Sequence, residues 1–292
     1  MFVERLIDLT FILGTGNFGL VGSNTLYVKG CRVRCHITCA GGLAQSNASL
    51  DVYGLTKSHM QQLSQINKAH QVFQKNTLII AAGNSVDGTS TIFEGQITTC
   101  QPDFNEQPDS MIHIEAQSGM WEGLSPLNPQ SFSENIDVEF VMETLAMKAG
   151  LIYEKGNFQF TVPPKISSPY FYGSLRDQMY SLARAAEVNL AFDQKILAIW
   201  PSGGSRSSGS QPTISAKTGM IGYPTYDVTY GLHIKTLFNP NIAMGQKYNV
   251  ISDLPWATAT WTAYYINHQI DSHMPDGAWF TTLKGQNASV GG

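Results

Sequence analysis

The stretch that decides the fold is residues 25–38, Thr-Leu-Tyr-Val-Lys-Gly-Cys-Arg-Val-Arg-Cys-His-Ile-Thr. Its β-branched and aromatic content is typical of a β-strand. Successive side chains of an extended chain point to opposite sides. One predicted face is apolar and buried, and it carries Cys31, Val33, Cys35, Ile37 and Cys39. The other is polar and is predicted to meet solvent, a channel or a partner; it carries Arg32, Arg34 and His36.

The three cysteines of this stretch also suggest a metal site. Their spacing is C-x3-C-x3-C, whereas zinc sites use C-x2-C pairs. Free cysteine packs well in protein cores, and the alternation places all three on the apolar face. We therefore predict structural thiols and no essential metal.

A glycine-rich motif precedes this stretch. Residues 14–19, Gly-Thr-Gly-Asn-Phe-Gly, match the G-x-G-x-x-G pattern of dinucleotide sites. Such a site needs a helix to begin there, with its N-terminus facing the pyrophosphate. Residues 20–24 instead indicate a turn before another strand, and the position expected to hold a ribose-binding acid is Arg34. We interpret the motif as a turn and predict no cofactor.

Charged residues are scarce. They make up 14% of the 292 residues, against about 25% in an average soluble domain, and 18 Gln and 16 Asn supply neutral polarity instead. Charged residues are depleted at the cores of protein interfaces, so this composition is consistent with burial of much of the surface against partners. It is equally consistent with a chain that stays soluble through neutral polar residues and has no such partners. The net charge of -4, without any basic stretch, argues against sequence-specific nucleic-acid binding.

No membrane segment or leader is predicted. No window offers 18 uncharged apolar residues, so no transmembrane helix is expected. The apolar run at the N-terminus contains Glu4, Arg5 and Asp8, which argues against a secretory signal.

Residues 1–128 are predicted to be mostly β. Besides residues 25–38, the strand-like segments are 77–82, 91–100 and 111–118. One helix is predicted to begin after Thr56, with Met60, Leu63 and Ile66 along one face.

Residues 129–200 are predicted to form a small α+β module. Val138, Val141, Met142, Leu145 and Ala149 follow a helical apolar pattern that Gly150 ends. Ser174 and Asp177 begin a second helix as a variant capping box, with Leu175, Met179, Leu182 and Ala186 on its buried face. Hairpins are expected through Tyr153, Gly156 and Phe160, and between residues 189–193 and 196–200.

Residues 201–212, Pro-Ser-Gly-Gly-Ser-Arg-Ser-Ser-Gly-Ser-Gln-Pro, indicate a flexible linker. Residues 213–292 are predicted to return to β, with strands at 226–238 and 261–270 and a hairpin that brings back 278–285 across the turn at 274–277. This end is rich in aromatic residues: Trp256, Trp261, Tyr264, Tyr265, Trp279 and Phe280. Core packing explains such rings more simply than a sugar-binding surface, because aromatics are favoured in strands.

No catalytic residues are predicted. The sequence contains no H-E-x-x-H, no G-x-S-x-G elbow and no Cys/His pairing with local support. A site assembled from distant residues stays open, because geometry and not order along the chain defines it.

Two stretches carry a resemblance to a known family. The first runs from Ser-Leu-Asp-Val-Tyr-Gly-Leu at 49–55 through Phe-Glu-Gly-Gln-Ile at 93–97 to Ile-His-Ile-Glu-Ala at 112–116. The second begins with Thr-Gly-Met-Ile-Gly-Tyr-Pro at 218–224 and includes Leu-Phe-Asn-Pro at 237–240 and Met-Gly at 244–245. It closes on 266–271 and 277–283. Both resemble the baseplate hub proteins of contractile-tailed bacteriophages, of the Mu-like and late-control-D type, and the hub half of type VI secretion spike proteins.

The resemblance implies an α+β fold, predominantly antiparallel β. It implies a first tube-like β-barrel at 1–128, the α+β module at 129–200, the linker at 201–212 and a second tube-like β-barrel at 213–292. It implies a structural homotrimer in the virion that joins the sixfold tail tube to the threefold spike, lines the DNA channel and contacts other baseplate proteins. The alternatives are a peripheral tail protein that binds host glycan through the aromatic-rich end, and a cell-wall hydrolase.

Overall fold

The chain is mostly antiparallel β, with four α-helices in the part that the structure describes. The structure, a computed structural model, describes residues 3–19, 22–40, 45–64, 75–105, 109–132, 136–154, 165–167, 169–206, 211–228 and 231–287. Within these ranges no helix has the length and apolarity needed to cross a bilayer. The chain divides into two compact units. The first unit contains 1–38, 47–118 and 267–280, and the second contains 39–46, 119–266 and 281–292.

The first unit is built on antiparallel strands. They are β1 (Arg5–Ile12), β2 (Thr25–Val28), β3 (Val33–Ala40, whose last two residues belong to the second unit), β4 (Asn47–Tyr53), β5 (Thr77–Asn84), β6 (Gly88–Asp103) and β7 (Met111–Gln117), with one helix, α1 (Lys57–Leu63). The strand order is β2-β1-β5-β6-β7-β4-β3. No closed barrel is found among the described residues, so the two-barrel prediction is not confirmed.

Alternation along each strand produces the core of this unit. Ile7, Leu9 and Phe11 of β1 are buried, while the residues between them are less so. The same period holds in β4 and β7, where every second residue is buried. An antiparallel sheet with one apolar face fits this pattern.

The predicted strand at 25–38 is two strands. β2 ends at Val28, and Gly30 adopts a positive φ of 67° before β3 begins at Val33. Glycine takes this conformation without the steric cost that a side chain adds. The helix after Thr56 is confirmed: the Thr56 hydroxyl accepts from the backbone N–H of His59, and Met60 and Leu63 are buried. Ile66 lies outside the described residues.

The second unit combines helices with short and long strands. It contains α2 (Met120–Leu124), β8 (Gln130–Ser131), β9 (Ile136–Asp137), α3 (Val138–Ala149), β10 (Ile152–Glu154), β11 (Lys165–Ile166), β12 (Tyr170–Phe171), α4 (Leu175–Ala185), β13 (Val188–Asp193) and β14 (Ile196–Pro201). It continues with β15 (Thr213–Ile214), a 3-10 turn at Ala216–Thr218, β16 (Met220–Asp227), β17 (Gly231–Leu237) and β18 (Lys247–Val250). Two long strands, β19 (Thr260–Ser272) and β20 (Trp279–Gln286), contribute residues to both units.

The two helices of the α+β module form as predicted. Helix α3 begins after the cap Asp137 and ends at Gly150, which has a φ of 70°. Helix α4 begins with the predicted capping box, in which the Ser174 hydroxyl accepts from the Asp177 N–H and the Asp177 carboxylate accepts from the Ser174 N–H. Of the first predicted hairpin, Gly156 and Phe160 lie outside the described residues. The second hairpin is confirmed as β13 and β14.

This second hairpin is buried on both faces. Leu190, Phe192, Leu197 and Ile199 pack with the helices α3 and α4. Ala191, Ala198 and Trp200 pack with the C-terminal β residues, among them Ile214, Tyr248 and Trp261. The α+β module therefore shares this hairpin with the C-terminal β residues of the same unit. Strands covered on both faces are apolar at successive positions, as Leu-Ala-Ile-Trp at 197–200 is.

The predicted strand at 226–238 is also corrected. It contains the end of β16 and the whole of β17, two antiparallel strands in which Tyr226 pairs with Leu232. The pairing register shifts between Ile221 and Thr225, a stretch that contains Pro224. Proline cannot donate to a strand ladder, so it is found at such irregular places. The predicted turn at 274–277 is confirmed by the bond from the Gly277 N–H to the Met274 carbonyl.

The expectation that residues 201–212 form a solvated coil with few contacts is wrong at Arg206. Its side chain is 4% exposed. Its Nε and Nη2 donate to both carboxylate oxygens of Glu154, and its Nη1 donates to Asp193 at 2.7 Å and to the Met244 carbonyl at 3.3 Å. Its backbone N–H donates to the Gly245 carbonyl at 2.7 Å. Residues 207–210 lie outside the described part of the chain.

Candidate functional site: the polar face of the first unit

The two faces of β3, β4 and β7 differ sharply in chemistry. Strand pairing aligns residues in rows across the three strands, and cross-strand neighbours share a face. The buried rows are Val33–Val52–Ile112, Cys35–Leu50–Ile114 and Ile37–Ala48–Ala116. The outward rows are Arg34–Asp51–His113 and His36–Ser49–Glu115. These two outward rows are called the polar face below, together with the adjoining Arg32 and Asp109.

Asp51 is the central group of the polar face. Its side chain is 21% exposed, and its Oδ1 accepts from Nδ1 of His113 at 2.8 Å. Its Oδ2 lies 4.0 Å from Nη1 of Arg34. On the far side of His113, Nε2 lies 3.8 Å from Oε1 of Glu115. The imidazole therefore lies between two carboxylates, one of which also neutralises an arginine.

The edges of the polar face are also paired. Arg32 lies 3.4 Å from the Asp109 carboxylate and 4.1 Å from the ring centre of Tyr53, a cation–π geometry. Nδ2 of Asn267 lies 2.6 Å from Nε2 of His36, and the same amide donates to the Thr38 hydroxyl at 3.0 Å.

The buried face is apolar as predicted at Val33, Cys35 and Ile37, while Cys31 and Cys39 are half-buried. Burial raises the pKa of the Cys39 and Cys100 thiols to about 12 and raises the pKa of Cys35 further. Such thiols stay protonated and are poor nucleophiles. The described residues contain no group of three or more His, Cys, Asp or Glu side chains that could hold a metal ion.

The structure also describes the glycine-rich motif and the aromatic residues near the C-terminus. Residues 14–19 join β1 to β2 without a helix, so the turn interpretation is confirmed for the described part of that segment. Of the C-terminal aromatic residues, Trp261 is buried and its Nε1 donates to the Ala257 carbonyl. Trp256 is 49% exposed, and its ring meets Tyr226 edge to face.

Sequence reasoning placed Arg32, Arg34 and His36 on a polar face but missed their partners. Asp51, His113 and Glu115 lie in the segments 49–55 and 112–116, which were singled out only for their resemblance. Their alternation, Asp-Val-Tyr and His-Ile-Glu, was the available signal. Which residue opposes which depends on strand register, and alternation alone leaves the register open.

Solved structures share this fold. The fold matches a tail protein from Neisseria meningitidis MC58 with a TM-score of 0.64 and 9% identity, over 97% of this chain and 96% of that one. It matches the 43 kDa tail protein of prophage MuSo2 from Shewanella oneidensis with a TM-score of 0.60 and 11% identity, over 97% of both chains. The fold is therefore that of phage tail proteins.

The same fold occurs in secretion machinery. A type VI secretion component of E. coli, the c3393 protein, matches with a TM-score of 0.57 and 11% identity, over 88% of this chain and 73% of that one. That protein is described as structurally similar to the T4 tail proteins gp27 and gp5. A search of the curated proteins gives no significant match.

The family model for baseplate hub gp41 matches residues 7–285. The chain belongs to this family of baseplate hub proteins, which are structural components of the phage tail. The resemblance found in the sequence is thereby confirmed at the level of the family.

Proposed function

We propose that the chain is the structural hub of a contractile tail, a homotrimeric adaptor between the sixfold tail tube and the threefold spike. The observation that carries this proposal is the polar face of the first unit. The inner rows of this sheet are buried and apolar, whereas the two outward rows, Arg34–Asp51–His113 and His36–Ser49–Glu115, consist of polar and charged side chains. A surface of this kind suits the wall of a water-filled channel.

The symmetry argument supports three copies. An adaptor must present six near-equivalent surfaces to a sixfold tube and three to a threefold spike. Two related β-barrels per chain, at 1–128 and 213–292, would meet both requirements in one closed ring. Closed cyclic symmetry also prevents open-ended polymerisation. The α+β module at 129–200 would lie outside the ring wall, and the segment 201–212 would connect it to the second barrel.

The partners follow from the same arrangement. They are the tail tube or tube-initiator protein on one side, the spike protein on the other, and further baseplate proteins around the ring. Assembly would take place in the host cytoplasm before the tail is complete. Charged residues make up only 14% of the chain. This low fraction fits large contacts between subunits, since obligate interfaces can exceed about 2,000 Å².

We assign the chain no catalytic role. The raised thiol pKa values leave Cys35, Cys39 and Cys100 without nucleophilic character at neutral pH. His268 is buried in a strand. The half-buried His113 of the polar face lies within 4.0 Å of a carboxylate on each side, Asp51 and Glu115.

Electron microscopy of the purified full chain tests the proposal. We expect class averages of a ring with threefold symmetry and six lobes, and a mass of three chains in solution. A monodisperse monomer, or a ring of another order, would contradict the hub. Binding on a glycan array, or release of peptidoglycan fragments, would then favour the peripheral tail protein or the hydrolase.

A further inference from the structure

Every arginine of the polar face has a carboxylate within 4.0 Å. Arg34 lies beside Asp51, and Arg32 lies beside Asp109. The face holds a third carboxylate, Glu115, which lies 3.8 Å from His113. Two guanidinium groups are thus set against three carboxylates, and the face is close to neutral with a slight negative excess when its imidazoles are uncharged.

This pairing matters for a polyanion. Duplex DNA binds proteins without sequence preference when lysine or arginine neutralises phosphates and releases their counterions. An arginine already paired with a carboxylate attracts a phosphate less strongly, because the phosphate must compete with a fixed negative charge a few ångströms away. A sheet lined by free arginines would hold DNA, whereas a self-paired sheet lets it pass.

We propose that Asp51 and Glu115 mask the cationic groups of the polar face, so that duplex DNA moves along this surface without being retained. The inference rests on the proposed function, since only a channel would bring DNA to this face. Asp51 has the larger effect because it contacts both Arg34 and His113. Glu115, with a side chain 53% exposed, adds negative charge on the outer side of His113.

Strand pairing fixes the position of Asp51 on the polar face. It stands directly opposite Arg34 on β3 and His113 on β7, in the middle of a row of three. Its position is set by strand register on both sides and does not depend on a flexible loop. The masking is therefore built into the sheet.

The test measures the binding of a fluorescently labelled 30-base-pair duplex to the full chain, at low salt and over a salt series. We expect the wild type to bind weakly and D51N/E115Q to bind about tenfold more tightly, with a steeper loss of affinity as salt rises. Each single variant should gain part of this increase. The matched control is E143Q/E187Q, which removes the same charge from exposed positions of the second unit.

A further substitution assigns the gain to one group. Adding R34Q to D51N/E115Q should return the affinity to that of the wild type. E115Q keeps the test valid if D51N fails to fold, because Glu115 is exposed and makes only a 3.8 Å contact with His113.

The proposal is overturned if D51N/E115Q binds no more tightly than E143Q/E187Q, or if the wild type already binds as tightly. Loss of the threefold ring in D51N/E115Q without a gain in DNA binding would instead identify the face as a protein interface. An intact ring without a gain in DNA binding overturns the masking and leaves the hub in place. Absence of the ring in the wild type overturns the hub and the passage of DNA along this face, even if D51N/E115Q binds DNA more tightly.

Discussion

Each unit contains an arginine that is paired with acidic side chains or a single acidic side chain. The arginine is exposed in the first unit and buried in the second. In the first unit, Arg34 is 57% exposed and lies 4.0 Å from Asp51. In the second unit, Arg206 is 4% exposed and contacts Glu154, Asp193 and the Met244 carbonyl. Charges in water interact weakly, whereas a buried charge must be fully paired. The exposed cluster can therefore be tuned for function, while the buried cluster is needed for folding.

The buried cluster also explains how the second unit is joined. Glu154 lies on β10 and Asp193 on β13, both in the α+β module, and the Met244 carbonyl belongs to the C-terminal β region. Arg206 bonds to all three. A segment that looks like a linker thus supplies the residue that fixes the module to the β region.

The largest expected effect comes from removing this arginine. R206A should lower the free energy of unfolding by about 3 to 5 kcal/mol, because it removes a buried guanidinium that donates to two carboxylates and a carbonyl. Chemical denaturation of the full chain measures it. R184A, at an exposed position in the last turn of α4, serves as the control and should cost less than about 1 kcal/mol. A loss below 1 kcal/mol in R206A would show that the cluster is not a structural joint.

The next largest effect concerns Gly245, whose carbonyl accepts a hydrogen bond from the Arg206 backbone N–H. Gly245 has a φ of 77°, and a Cβ there would lie 2.8 Å from the Trp200 ring. G245A should cost about 3 kcal/mol, from backbone strain and from overpacking against Trp200. Gly203 has a φ of 72° and open space at the Cβ position, so G203A should cost only the backbone part, about 1 kcal/mol. Equal losses in the two variants would mean that the packing of Trp200 on Gly245 contributes nothing.

These residues show what the sequence could and could not predict. Local signals were sufficient for α3, for the capping box of α4 and for the hairpin at 274–277, because caps, glycines and periodicity act over a few residues. Arg206 was missed because its partners lie 52, 13 and 38 positions away. Nothing in Ser-Gly-Gly-Ser-Arg-Ser distinguishes a buried arginine from a solvated one.

The polar face was half predictable for the same reason. Alternation assigned Arg34 and His36 to one face of β3 correctly, as their exposure shows. The pairing of Arg34 with Asp51, and of Asp51 with His113, depends on the register of three strands that are distant in sequence. Alternation does not predict the split of residues 25–38 into β2 and β3, because strand-like residues lie on both sides of the break at Gly30.

A third effect is pH dependence in the first unit. Burial lowers the pKa of His268 to about 4 from an ordinary value of 6.5. Between these values the unfolded chain binds a proton that the folded chain does not, so acid favours unfolding and stability falls as the pH drops below about 6.5. The contribution of His268 should decrease by about 2 kcal/mol between pH 7.5 and pH 5. H268Q should lose this part of the pH dependence, and an unchanged pH profile in H268Q would show that His268 is not the group responsible.

The smallest effect returns to the exposed arginine. R34A should change the free energy of unfolding by less than about 1 kcal/mol, because an exposed pair at 4.0 Å gains little in water and is screened by salt. Asp51 keeps its hydrogen bond from His113 in that variant, so its charge is not left unpaired. Denaturation of R34A and R206A under identical conditions makes the contrast direct: the same substitution removes the same side chain from an exposed and from a buried cluster. If R34A cost as much as R206A, the polar face would be part of the fold's stability, and its charges could not be altered independently of folding. A small loss in R34A with a large loss in R206A would show that the charges of the polar face can be altered independently of folding.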